Sequence, residues 1–142
     1  AIKAKGQAIP TSFDGEILVP FAVESALSGV GKTVGKDNEL WYNTTFSTPK
    51  KSSKDKVLLH FGASDWETEV FVNGESIGKH RGGYDPFDFD ITNHLKSGKT
   101  QNLQVRVWDP SDEGPQPRGK QVNNPNGIWY TPVTGILKAR RL

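Results

Sequence analysis

The sequence predicts an all-β protein, a β-sandwich of the jelly-roll kind. Three observations carry this. Apolar and polar residues alternate with period two in several short segments, the mark of strands with one buried face. Turn residues punctuate those segments, with 15 glycines and 9 prolines spread over 142 residues. Helical periodicity is scarce. Many short strands with regular turn signals suit a sandwich rather than a parallel α/β fold.

The elements follow in order. Glu16–Val19 is the first expected strand, and Ser25–Ser28 suits one helical turn. Leu40–Ser47 and Val57–Phe61 are the next strands. Around Val70 and Val72, the residues Glu69, Phe71 and Asn73 point the other way. Asn73-Gly74 follows, and both residues accept the positive φ of a tight hairpin turn, so Ser76–Lys79 returns beside that strand. Phe87, Phe89 and Ile91 share one face, with Asp88 and Asp90 opposite. Thr92–Lys96 fits one helical turn, with Thr92 as N-cap and Gly98 beyond its end. Leu103, Val105 and Val107 share a face against Gln104 and Arg106. Asp109–Asn126 is the longest loop, and long loops in compact domains tend to be functional or disordered. Ile128–Thr131 and Ile136–Arg140 close the series. Neither an internal repeat nor a boundary is visible, so residues 1–142 read as one domain.

Composition removes several function classes. There is no cysteine, which excludes disulfides and thiolate metal sites and leaves the compartment open. The net charge is only +2. Lys50, Lys51, Lys54 and Lys56 stand among Ser and Asp in a Pro-led loop, which reads as a solvated turn rather than a nucleic-acid patch. No apolar run approaches the roughly 20 residues of a membrane span, and no signal peptide is visible. The opening AIKAKGQAIP lacks Met and reads as a processed or engineered start. The 4 tryptophans, Trp41, Trp66, Trp108 and Trp129, suit either a core or a sugar-facing surface.

No motif carries catalysis. Ala26–Thr33 nearly spells a phosphate-binding loop, but turn chemistry follows it where a helix is required. His60, His80 and His94 lack metal-ligand spacing, and His60 reads as a hydrogen-bonded strand residue. Asp85, Asp88 and Asp90 could suit calcium, yet surface charge beside a turn-forming Asp-Pro is the favoured reading, and no cofactor is expected. Asn43-Thr44-Thr45 is a glycosylation sequon, meaningful only in a secreted eukaryotic chain. The glutamates are scattered, and nothing selects the carboxylate pair that glycoside hydrolysis needs.

Several blocks resemble the N-terminal sugar-binding domain of glycoside hydrolase family 2, the β-galactosidases, β-glucuronidases and β-mannosidases. They are Ile17–Phe21 with Glu24-Ser25 and Leu27–Val30; Trp41-Tyr42; His60–Ala63 with Asp65-Trp66; Val72–Gly74 with Gly78 and His80; Gly82–Tyr84 with Pro86-Phe87 and Phe89–Thr92; and Arg118–Gln121 with Ile128–Thr131 and Gly135-Ile136. The resemblance runs from about Phe13 to Leu142, and Ala139–Arg141 departs from it. It implies a galactose-binding-like jelly roll. It also implies an immunoglobulin-like domain and a TIM barrel with both catalytic glutamates, which lie outside these residues. The expected function is therefore a non-catalytic, accessory sugar-binding domain, galactosidase-like, of an enzyme cutting O-glycosyl bonds.

The loop before Trp129 is the one the resemblance points to. Arg118, Lys120, Gln121, Asn126 and Trp129 are the candidate carbohydrate contacts, with Asn126-Gly127 standing where some relatives carry an acidic residue. The expected partners are carbohydrate and the two further domains, not nucleic acid or membrane. The resemblance implies a periplasmic or secreted location. The alternative is a free-standing carbohydrate-binding module, with Trp66, Tyr84 and Trp108 as its exposed aromatics. A third reading is a protein-interaction sandwich with one large apolar patch.

Overall fold

The computed structural model describes residues 1–139. Among the described residues, eight strands form two antiparallel sheets. They are β1 (Ile2–Ala4), β2 (Asn38–Ser47), β3 (Leu58–Asp65), β4 (Glu67–Val72), β5 (Glu75–Arg81), β6 (Phe87–Asp90), β7 (Thr100–Trp108) and β8 (Gly135–Ala139). One sheet runs β1-β2-β7-β4-β5 and the other β6-β3-β8. The two pack as a jelly-roll sandwich.

The alternation set the core. Leu40, Tyr42, Val70, Val72, Val105 and Val107 face inward from the larger sheet. Leu59, Phe61 and Ile136 meet them from the smaller one, while Val23, Val34 and Ile91 plug the ends from loops. Phe87 stacks on Phe61 at 4.9 Å and meets Phe89 edge-on. The hairpin forms as expected: Val72 pairs with Glu75, Asn73 has φ 52° and Gly74 has φ 85°. Asn73 also knits its neighbours, since its amide donates to the His94 carbonyl and Gln101 while Oδ1 accepts from the Asn102 N–H.

Three expectations need correction, and one strand was missed. Glu16–Val19 is not a strand. Ile17 and Val19 do pack on the core. However, among the described residues Leu18 alone of the four makes backbone bonds, its N–H donating to the Ser28 carbonyl and its carbonyl accepting from Phe21 N–H. Ile128–Thr131 is not a strand either. It is exposed throughout, and its one ladder contact is an isolated bridge from Tyr130 to Gln121. Thr92 does not cap its turn. It is the first residue of a 3₁₀ turn over Thr92–His94, and its hydroxyl is already taken by the Val57 N–H. Finally, β1 was not anticipated, because three residues with one lysine show no period. The expected strand end at Arg140, and the departure at Ala139–Arg141 beyond its first residue, lie outside the described residues.

Ser25 caps the 3₁₀ turn Ala26–Ser28, accepting from Leu27 N–H, and Gly29 follows with φ 81°. The phosphate-loop look-alike is thus a capped single turn. His60 pairs with Asp88 across β3 and β6, and Lys56 pairs with Asp90 at 3.2 Å. Among the described residues, no helix is long and apolar enough to cross a membrane.

Candidate functional site

The segment between β7 and β8 holds every candidate contact. Its ends are clasped together. Asp109 directly follows β7, and Thr134 directly precedes β8. The Thr134 hydroxyl donates to Asp109 Oδ2 at 2.9 Å. Asp109 Oδ1 also accepts from Ser111 N–H at 2.7 Å, a side-chain turn that supports Ser111 at φ 52°. Further in, Asn123 Nδ2 donates to Asp112 Oδ1 at 2.6 Å, and Gln116 donates to the Ser111 carbonyl at 2.8 Å.

Beneath the loop lie three carboxylates that, among the described residues, have no cationic partner. Gln121 Nε2 donates to Asp65 Oδ2 at 3.2 Å, and Thr134 N–H donates to Glu24 Oε2 at 2.9 Å. Glu24 Oε1 is buried and has no hydrogen-bond partner among the described residues. Burial, together with the charges of Asp109 and Glu24, pushes the Asp65 carboxyl up to about 6, against the Gln121 hydrogen bond. Burial likewise raises Asp109, against its bonds from Ser111 and Thr134. Burial raises Glu24 as well, with a smaller push from Asp109. Close approach makes this geometry possible at two glycines. A Cβ on Gly83 would sit 2.6 Å from the Asp65 carboxyl carbon, and one on Gly135 would collide with the Tyr42 hydroxyl. That hydroxyl accepts from Ile136 N–H, and burial raises its pKa.

The candidates separate into two groups. Gln121 is 5% exposed, and both ends of its amide are engaged, since Oε1 accepts from Val133 N–H at 2.6 Å. It faces the interior and anchors the loop. Arg118, Lys120, Asn126 and Trp129 stay on the outside. The Arg118 guanidinium lies over the Trp129 ring at 5.9 Å and donates to the Asp112 carbonyl. Lys120 is exposed, and its carbonyl accepts from Tyr130 N–H. Asn126 is exposed, and its carbonyl accepts from Trp129 N–H, closing a turn.

Two aromatic residues join this surface that sequence reasoning did not place there together. Tyr84 is 65% exposed and Tyr130 48% exposed, beside Trp129 at 41%. A Cβ on Gly119 would lie 3.2 Å from the Tyr130 hydroxyl and 3.6 Å from that of Tyr84, so both hydroxyls converge there. Gly82-Gly83 before Tyr84 was the available signal, since paired glycines mark backbone held close to something. The other aromatics proposed for a sugar face sit elsewhere. Trp66 and Trp108 are half-buried, and Lys5 Nζ covers the Trp108 ring at 3.2 Å. Trp41 is buried at 3% exposure. An aromatic ring, a guanidinium and two phenols offer flat apolar surface edged with donors, the chemistry that suits a sugar ring.

Comparison with known proteins identifies the family. Residues 11–130 match the family described as Glycosyl hydrolases family 2, sugar binding domain. A β-galactosidase of Thermoanaerobacter pseudethanolicus is 43% identical over 84 residues, covering 58% of this chain and 11% of that protein. A β-glucuronidase of Formosa agariphila is 35% identical over 77 residues, covering 51% of this chain and 8% of that protein. Among solved structures, the apo β-glucuronidase of Ruminococcus gnavus aligns at TM-score 0.46 and 31% identity, covering 49% of this chain and 12% of that one. The chain spans about a tenth of the length of the first curated relatives it matches. It belongs to glycosyl hydrolase family 2, as a sugar-binding domain.

Proposed function

We propose, from the premise of a family 2 sugar-binding domain, that this chain is the non-catalytic accessory domain of a larger β-glycosidase, galactosidase-like in substrate class. Its loop between β7 and β8 borders the saccharide there. The single observation that carries this reading is the loop's construction. Gln121, Asp109 and Thr134 fasten it from below, while Arg118, Lys120, Asn126 and Trp129 stand outward with Tyr84 and Tyr130. A fastened loop with an aromatic and cationic outer face is pre-organised to hold a ligand. Hydrolysis then belongs to a catalytic barrel of the parent protein, which also carries an immunoglobulin-like domain.

The test compares the parent protein with this domain, using an aryl β-galactoside. The parent should hydrolyse it and the isolated domain should not; turnover by the pure domain overturns the reading. In the parent, Trp129→Ala should raise KM several-fold while the unfolding midpoint holds. A second reading, a free-standing carbohydrate-binding module, is favoured by the convergence of Tyr84, Trp129 and Tyr130. It requires saturable binding of galactose by the isolated chain, read from tryptophan fluorescence.

A further inference from the structure

Asparagine precedes glycine twice in this chain, at Asn73-Gly74 and at Asn126-Gly127. The pair is chemically reactive. Glycine carries no Cβ to shield its nitrogen, so that nitrogen can reach the preceding side-chain amide. The fold treats the two pairs in opposite ways.

Asn73 is held at both polar atoms of its side chain. Its Nδ2 donates to the His94 carbonyl at 2.8 Å and to Gln101 Oε1 at 2.7 Å, and its Oδ1 accepts from Asn102 N–H at 3.0 Å. The main chain is held as well. Asn73 N–H donates to the Asn102 carbonyl at 2.9 Å, and the Asn73 carbonyl accepts from Lys96 Nζ at 3.3 Å. The three side-chain bonds must open before the amide can swing toward the Gly74 nitrogen.

Asn126 is the reverse case. It is exposed, and so are Pro125, Gly127 and Ile128. Among the described residues, neither its side-chain amide nor the Gly127 N–H meets a hydrogen-bond partner. A Cβ on Gly127 would find nothing within 4 Å, so the space beside the turn is open. Only the Asn126 carbonyl is engaged. It accepts from Trp129 N–H at 3.0 Å, across a turn in which Gly127 has φ 57°.

We propose that Asn126 is a site of spontaneous covalent modification, deamidation through a cyclic imide, from which the fold protects Asn73. The Gly127 nitrogen, once deprotonated, attacks Asn126 Cγ. A new C–N bond forms, the bond from Cγ to the amide nitrogen breaks, and that nitrogen leaves as ammonia with a proton from water. Water then opens the imide at either carbonyl. Opening at Cγ leaves an aspartate. Opening at the main-chain carbonyl leaves an isoaspartate, whose chain runs through Cβ and Cγ. In the isoaspartate, the carbonyl that held Trp129 N–H becomes part of a free carboxylate, so the tie that seats Trp129 is remade. The inference goes beyond the sugar-binding reading and does not depend on it.

The test incubates the folded chain in mildly alkaline buffer, with a parallel sample unfolded in urea. Peptides from both are scored by mass for amide-to-acid conversion, and by electron-transfer fragmentation for isoaspartate. In the folded chain, Asn126 should convert at least about tenfold faster than Asn73, because Asn73 reacts only from a locally opened state. Isoaspartate should be among the products at Asn126. In urea the two rates should fall within roughly threefold of each other, since the bonds that hold Asn73 are gone. Equal rates in the folded chain overturn the proposal, and so does faster conversion at Asn73. The same tenfold gap in urea also overturns it, because neighbouring residues rather than the fold would then set the difference.

Discussion

Two trios of carboxylates sit in this molecule and meet opposite fates. On the outer face of the larger sheet, Glu39, Glu67 and Glu69 surround Arg106 at 2.7, 2.8 and 3.2 Å. Arg81 adds a second cation to Glu67 at 2.8 Å, and Lys79 one to Glu69 at 3.5 Å. Cross-strand register builds this lattice, since Arg106 lies opposite Glu69 and Glu67 lies opposite Arg81. Beneath the loop, Glu24, Asp65 and Asp109 meet, among the described residues, only hydroxyl, amide and backbone donors. Burial opposes ionisation in both places. In the lattice the Arg81 hydrogen bond and the charges of Arg106, Arg81 and Lys79 overcome it, and Glu67 is held below its ordinary value. Under the loop nothing overcomes it, and all three carboxyls rise. The same residue type thus serves as a strut in one region and as a proton-hungry floor in the other.

The largest effect should come from removing the lattice's shared cation. Arg106→Met leaves Glu39, which is 0% exposed, buried without its partner. A loss of about 3–5 kcal/mol in urea unfolding is expected, with recovery in the Arg106→Met/Glu39→Gln double variant. A loss under about 1 kcal/mol would mean that water reaches Glu39 and that the lattice contributes little.

Asp65→Asn tests the other trio. The folded-state carboxyl lies above its unfolded value, so the folded protein binds the proton more tightly. Stability from this group is complete below the unfolded pKa and falls as pH rises through about 6. The variant should therefore exceed the parent by on the order of 2 kcal/mol at pH 7, after a discount for solvent access. That advantage should vanish near pH 4. The comparison is made as a difference, because other carboxylates in the chain lose stability in acid. An advantage that persists at pH 4 would assign it to packing rather than to charge.

Lys36→Ala should matter least. Its pair with Glu113 is short, at 2.6 Å, yet both side chains are nearly half exposed. Thermal unfolding should move by the equivalent of less than about 1 kcal/mol. A larger shift would show that geometry alone makes an ion pair strong, and the contrast between buried and exposed charge would lose its force.

Much of this was legible in the chain, and the failures have physical reasons. Alternation located β4, β6 and β7 and the inward faces of each, because one buried face with period two needs no distant information. The same signal misled at Glu16–Val19. Ile17 and Val19 bury a face, but alternation is silent about whether a hydrogen-bonding partner lies alongside. Phe71 points away from Val70 and Val72 as expected, yet it is only 9% exposed. Trp41 covers it at 5.5 Å, a neighbour brought in from a different strand. At the site, turn chemistry made the loop itself readable, but not which of its residues turn outward. The inward turn of Gln121 was equally hidden. Its partners, Asp65 and Val133, are fixed by the sandwich rather than by local spacing, and the same holds for the meeting of residues 24, 65 and 109.

The bond from Thr134 to Asp109 has a consequence for how such a domain diversifies. It joins the residue leaving β7 to the residue entering β8, so the intervening chain departs and returns through one point. Whatever lies between those two residues can lengthen, shorten or change character with little cost to the strands, because closure entropy grows slowly with loop length. The clasp works as a socket. A graft between Ser111 and Val133 would inherit a fixed mount, and ligand preference could drift while the sandwich beneath it stays the same.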